Sequence, residues 1–162
     1  METRKLIEAF PKGNPPIQID IFKAIDHYIG LENVHEIDTD KNFTLIFDDR
    51  TKIFINRILS FKAKHFLLTH EFVEYLTEKE KPFASFPYYI YKGEDKRYQS
   101  KINNIVGQLL MPEWVLKDIV VDILKYGGNI DNSAIRKISD FFLVSEKAVQ
   151  VRLKSLGYEV SI

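Results

Sequence analysis

Two rhythms of apolar residues divide the chain. Ile21, Phe22, Ile25 and Ile29 recur at helical spacing, with Asp20 placed to cap the start and Gly30 to follow the end. Upstream, Pro11-Lys-Gly-Asn-Pro-Pro16 cannot continue a helix and marks a boundary between elements. From residue 34 the period changes to two. Phe43, Leu45 and Phe47 alternate with Thr44 and Ile46, and Asp48-Asp49-Arg50-Thr51 supplies turn chemistry before Ile53-Phe-Ile55. This predicts a hairpin or short meander, with Val34 to Ile37 as a further strand.

Helical spacing returns over 62–78, where Phe66, Leu67, Val73 and Leu76 are candidate core residues, and Glu78-Lys-Glu-Lys-Pro82 is a polar stop. Residues 83–98 are rich in aromatics (Tyr88, Tyr89 and Tyr91 among them) and show no clear period, which predicts a long loop or irregular strand. Further helices are expected over 98–111, 113–126 (ending at Gly127-Gly128), 133–142 and 145–156. The pattern as a whole predicts an α+β domain spanning 1–162. An N-terminal helical segment (1–33) precedes a small antiparallel sheet and two helices (34–112), and a C-terminal helical part (113–162) closes the chain.

Composition narrows the class. With 162 residues the chain is long enough for one sizeable core. The absence of cysteine excludes disulfides, thiolate zinc sites and thiol nucleophiles. Lys and Arg total 23 and so do Asp and Glu, so the balance is not that of a globally basic nucleic-acid binder. No stretch reads as a signal sequence or a membrane span, and a cytoplasmic location without membrane contact is expected.

The sharpest chemical signal is Thr69-His-Glu-Phe-Val-Glu-Tyr-Leu76. On a helix, residues four apart share a face, so His70 and Glu74 project side by side while Glu71 sits about 100° around. The spacing is that of the His-Glu-x-x-His zinc helix, with a glutamate in place of the second histidine. Carboxylate oxygen is an accepted zinc ligand, so the exchange alone leaves a metal open. A solvated helix face explains the same residues.

The wider sequence resembles the ImmA/IrrE family of metallopeptidases. Lys64-His-Phe-Leu-Leu-Thr-His-Glu-Phe-Val-Glu-Tyr-Leu76 is similar to that family's Arg-Phe-Thr-Leu-Ala-His-Glu-Leu-Gly-His-Tyr-Leu helix, and Ile53-Phe-Ile-Asn56 to the strand before it. Asn103-Asn-Ile-Val-Gly-Gln-Leu-Leu-Met-Pro112 resembles the family's Glu-Ala-Asn-x-Phe-Ala-x-x-Leu-Leu-Met-Pro. The stretch from Ile135 to Gly157 resembles its closing helix, Phe-x-Val-Ser turn and final helix. The resemblance implies a zincin-like core and a role in gene regulation in bacteria, phages or mobile elements.

Carried over position by position, the resemblance implies His70 as the first ligand and Glu71 as general base. It places Glu74 at the second ligand position and Lys101 at the third. A protonated lysine has no lone pair for zinc. One expectation is therefore a Glu74–Lys101 ion pair replacing the metal as a tie between helices, with no cofactor. The corresponding function is that of a pseudoenzyme acting by contact with a transcriptional repressor or antitoxin-like regulator. A second is a working zinc endopeptidase with a His70/Glu74 site completed by Glu94 or Asp95, or by Gln99 nearby.

A third concerns the last two helices, which scan as a helix-turn-helix-like pair with Ser145 as N-cap. Between Ser133 and Gly157, five basic residues, Arg152 and Lys154 among them, stand against two acidic ones. Five less two is a local +3, and an exposed basic face would touch DNA. The alternative is that Ile135, Ile138, Phe142, Val149 and Leu153 simply bury the pair on the core. The aromatics of 83–98 would then cover the cleft or meet the partner. Of the remaining histidines, His27 reads as a surface residue, His35 as part of a surface pair with Glu36, and His65 as a packing or capping residue.

Overall fold

A computed structural model describes residues 20–40, 42–47, 50–79, 88–90, 95–126 and 128–160. The Pro11–Pro16 boundary, Glu94 and Tyr91 lie outside them, and for Tyr88 and Tyr89 only the backbone is described.

The fold is α+β. Helix α1 (Ile21–Tyr28) begins where the Asp20 carboxylate accepts from the Lys23 amide at 3.2 Å and ends at Gly30, whose φ of 86° a side chain would resist. A 3₁₀ turn (Leu31–Asn33) leads into β1 (Val34–Ile37), followed by β2 (Phe43–Phe47) and β3 (Arg50–Asn56). The long α2 (Phe61–Lys79) precedes β4 (Tyr88–Ile90), α3 (Lys96–Leu110), α4 (Glu113–Lys125), α5 (Asn132–Phe142) and α6 (Glu146–Ser155).

The four strands lie in the order β1-β3-β2-β4. Alternation in β2 and β3 forms the antiparallel hairpin it predicts, with Phe43 opposite Phe54 and Phe47 opposite Arg50. The sheet is nevertheless mixed, not antiparallel throughout, because β1 runs parallel to β3 in the register Val34↔Ile53 to Ile37↔Asn56. The hairpin occupies the place beside β1 with its second strand, so the chain leaving β1 passes β3 before turning back along β2. Part of the expected aromatic loop is the edge strand β4, paired antiparallel to β2.

Helix α2 is the axis of the molecule. Its residues 68–75 are buried without interruption, so it is enclosed on every side instead of carrying one apolar stripe. Ile53 and Ile55 of β3 meet it from the sheet, and α1 and α3 pack alongside. In α3 the buried set Ile102, Ile105, Val106, Leu109 and Leu110 keeps the helical period. Met111-Pro112 then ends the helix and starts α4 without a side-chain cap.

The last two helices stand where the sequence puts them. Asp131 caps α5 through the Ala134 amide at 2.9 Å, and Ser145 caps α6 through the Ala148 amide at 3.2 Å. Between them Leu143 takes a left-handed φ of 54°, unusual for a leucine. Its carbonyl accepts from His65 Nδ1 at 3.0 Å, and burial holds His65 below its ordinary pKa against that bond. His65 is therefore a packing residue that fixes the turn, stacked near Phe22 and Phe61. Ile135, Ile138, Phe142, Val149 and Leu153 are buried on the core. Among the described residues, no helix is long and apolar enough to cross a membrane.

Candidate functional site: a buried polar cluster on α2

Burying His70, Glu71 and Glu74 in the middle of the central helix requires partners, because an isolated charge in such a place is costly. His70 is 7% exposed, Glu71 4% and Glu74 2%. Each finds its partner on a neighbouring element, Glu71 on β2 and the other two on α3.

The sheet provides the first. Thr44 sits opposite Ile53 on the inward face of the hairpin and is fully buried, and its hydroxyl donates to Glu71 Oε2 at 2.8 Å. Burial nevertheless pushes the Glu71 carboxyl up to about 7, with the Thr44 bond and the His70 charge opposing the rise and the neighbouring Glu74 adding to it. Glu71 thus changes charge near neutral pH.

Helix α3 provides the others. Gln99 and Asn103 are four apart and so share a face. The Gln99 amide donates to Glu74 Oε1 at 2.8 Å, and His70 Nδ1 lies 2.9 Å from Asn103 Oδ1. An amide oxygen only accepts, so Nδ1 carries the proton and Nε2 faces Glu74 Oε1, at 3.5 Å. Burial by itself would lower the His70 pKa. The contact with Glu74, the charge of Glu71 and the Asn103 bond outweigh it and raise the pKa. The imidazolium is thereby favoured beside the Glu74 carboxylate.

The sequence placed His70 and Glu74 side by side, and so they stand. The expected Glu74–Lys101 pair does not form. Lys101 is two residues beyond Gln99, about 200° around α3, and lies exposed on the opposite face. The partner that Glu74 meets on α3 is Gln99, where the sequence resemblance led to the expectation of Lys101. The signal for it was present: Gln99-x-x-x-Asn103 repeats the four-residue spacing of His70-x-x-x-Glu74, so two polar pairs can meet across the helix interface. Thr44 had no such signal, since only the strand register aims it at Glu71.

Asp95, weighed as a completing ligand, is engaged as the N-cap of α3, accepting from the Arg97 and Tyr98 amides at 3.1 and 3.0 Å. Arg152, expected on an exposed basic face, is 7% exposed and donates through Nε to the Met111 carbonyl at 3.3 Å. Lys154 is exposed. His27 is exposed on α1, as expected. His35 is half-buried with its ring 5.2 Å from that of Phe54, and Glu36 pairs with Lys64 at 2.6 Å instead of with His35.

Among the described residues the donor set does not fit a zinc ion. His70 Nε2 and Glu74 Oε1 are spaced as two ligands of one metal are, but a protein zinc site draws at least three ligands from Cys, His, Asp or Glu. The third direction here presents the NH₂ group of Gln99 to Glu74, and Glu71 is held by Thr44. Among the described residues no three such side chains converge. What the cluster can do is bind α2 to β2 and α3 through hydrogen bonds to charged groups, and take up or release a proton near neutrality. No family model matches the sequence, no curated protein matches it significantly, and no solved structure gives a significant match.

Proposed function

We propose that this chain is a zincin-like regulatory protein of ImmA/IrrE type whose metal centre has been replaced by a hydrogen-bonded cluster, and that it acts by contact with a regulator instead of by peptide hydrolysis. The partner class, a transcriptional repressor or an antitoxin-like regulator, comes from the sequence resemblance. One observation carries the non-catalytic part: the Glu74 carboxylate, at a ligand position, is already satisfied by the Gln99 amide and the His70 ring. A ligand turned inward in this way stabilises the fold, whereas a catalytic zinc site needs three metal-binding side chains and an open fourth position. The burial of Arg152 removes the better of the two basic residues from a DNA-contacting face and supports the same reading of α5 and α6 as part of the core.

Metal analysis of protein purified from zinc-supplemented cells tests it. Zinc well below one per chain is expected, and one per chain overturns the proposal. The double variant Glu74→His/Gln99→Glu restores metal-binding side chains at both positions and is expected to take up zinc where the wild type does not. Glu71→Gln separates the roles in cells. A contact-based regulator keeps its effect on the controlled gene, and its loss in a folded variant would return the peptidase reading.

A further inference from the structure

The face of α3 turned away from the polar cluster carries a second organised set of side chains. Arg97, Lys101, Asn104 and Gln108 are spaced four, seven and eleven residues along the helix, so they fall within about 60° of one another in a single stripe. With Ser100 they form one wall of an open cleft of about 760 Å³, and Arg152 and Ser155 of α6 form the other. Among the described residues, three cations line it and no carboxylate does.

Arg152 is the built part of this cleft. Its Nε is fixed to the Met111 carbonyl, and Nη1 reaches Ser155 Oγ at 3.5 Å. Its methylene stem lies against Gly107 of α3. The guanidinium is thus recessed and held in one orientation. Burial disfavours its charge, yet the acid that senses it, Glu113, is paired with Lys117 at 2.6 Å. A recessed cation without its own carboxylate, flanked by two exposed cations and neutral donors, is an arrangement that an anion completes.

We propose that the α3–α6 cleft binds a small phosphate-bearing molecule, with Arg97, Lys101 and Arg152 holding its phosphate oxygens. Phosphate matches the donors better than carboxylate does, because its several terminal oxygens can accept from a guanidinium fork, an ammonium and hydroxyl and amide groups together. The recessed position of Arg152 favours a terminal phosphate that can enter over the backbone of a duplex. Among the described residues, the side chains lining the cleft are cationic or neutral polar ones. The cleft lies on the side of α3 opposite Gln99 and Asn103, so it does not depend on the reading of the polar cluster.

Inorganic pyrophosphate is the probe, titrated calorimetrically into the full chain at constant ionic strength. Saturable one-to-one binding is expected. It should weaken at least roughly tenfold in Arg97→Gln/Lys101→Gln, which removes two charge-assisted contacts. It should persist in Lys147→Gln/Lys154→Gln, which alters exposed lysines of α6 outside the cleft. Arg97 and Lys101 are exposed, so an unchanged melting temperature will verify that their variant folds. Absence of binding, or equal binding by both variants, overturns the proposal. So does binding of duplex DNA by a protein that ignores pyrophosphate, which would assign the cleft to a polymer backbone.

Discussion

Replacing Gln99 and Lys101 one at a time gives a direct test of which residue secures the central helix. The Gln99 amide meets a Glu74 carboxylate that is 2% exposed, and a hydrogen bond to a charged group is worth about 1.5–3 kcal/mol. In Gln99→Ala that carboxylate keeps, among the described residues, the His70 contact at 3.5 Å, so a loss of about 2 kcal/mol is expected, softened where water enters the gap. Lys101 is exposed on the other face, and Lys101→Ala should change stability by no more than about 0.5 kcal/mol. Urea unfolding at pH 7, followed by circular dichroism, resolves a difference of this size as a shift in midpoint at constant slope. If Lys101→Ala costs as much as Gln99→Ala, the assignment of Gln99 and Lys101 to opposite faces of α3 fails.

Stability should fall as pH rises through neutrality. Glu71 ionises at its ordinary 4.5 in the unfolded chain but at about 7 when folded, so between those values the folded state binds the extra proton and loses stability with rising pH. The displacement of about 2.5 pH units is worth about 3 kcal/mol at about 1.4 kcal/mol each. The raised pKa of His70 acts in the same direction, because its contribution is complete below the unfolded value and is lost through the folded one. Unfolding measured from pH 5 to pH 8 should show the slope in the wild type and much less of it in Glu71→Gln, and equal slopes would refute the assignment. Thr44→Val removes the bond that favours the ionised Glu71, so it should raise the Glu71 pKa further and cost about 1–3 kcal/mol at pH 8 but little at pH 5. Asp131→Ala removes the cap of α5 and should cost about 1 kcal/mol in the same unfolding assay; no change would mean the cap is not formed in solution.

Much of this was readable along the chain, and for a common reason. The caps Asp20 and Ser145, the stop at Gly30 and the spacing that places His70 beside Glu74 all depend on neighbours within about four residues. Local geometry fixes such features before any tertiary contact exists. The hairpin of β2 and β3 is of the same kind, since alternation and a short turn set its register.

What the tertiary structure alone decided are the choices among faces and partners distant in sequence. Pairing β1 parallel to β3 joins strands that β2 separates in sequence, and no period in Val34 to Ile37 encodes that. A two-residue difference on α3 reverses the side a residue faces, and so exchanges Lys101 for Gln99 at the polar cluster while leaving the sequence resemblance unchanged. Arg152 scanned as surface charge and is a buried donor to Met111, because α6 lies against the end of α3 and brings its Nε to the Met111 carbonyl. The amino-acid order determined which polar residues had to be reckoned with. Only the packing of α3 between α2 and α6 determined that one face of it closes a site and the other opens one.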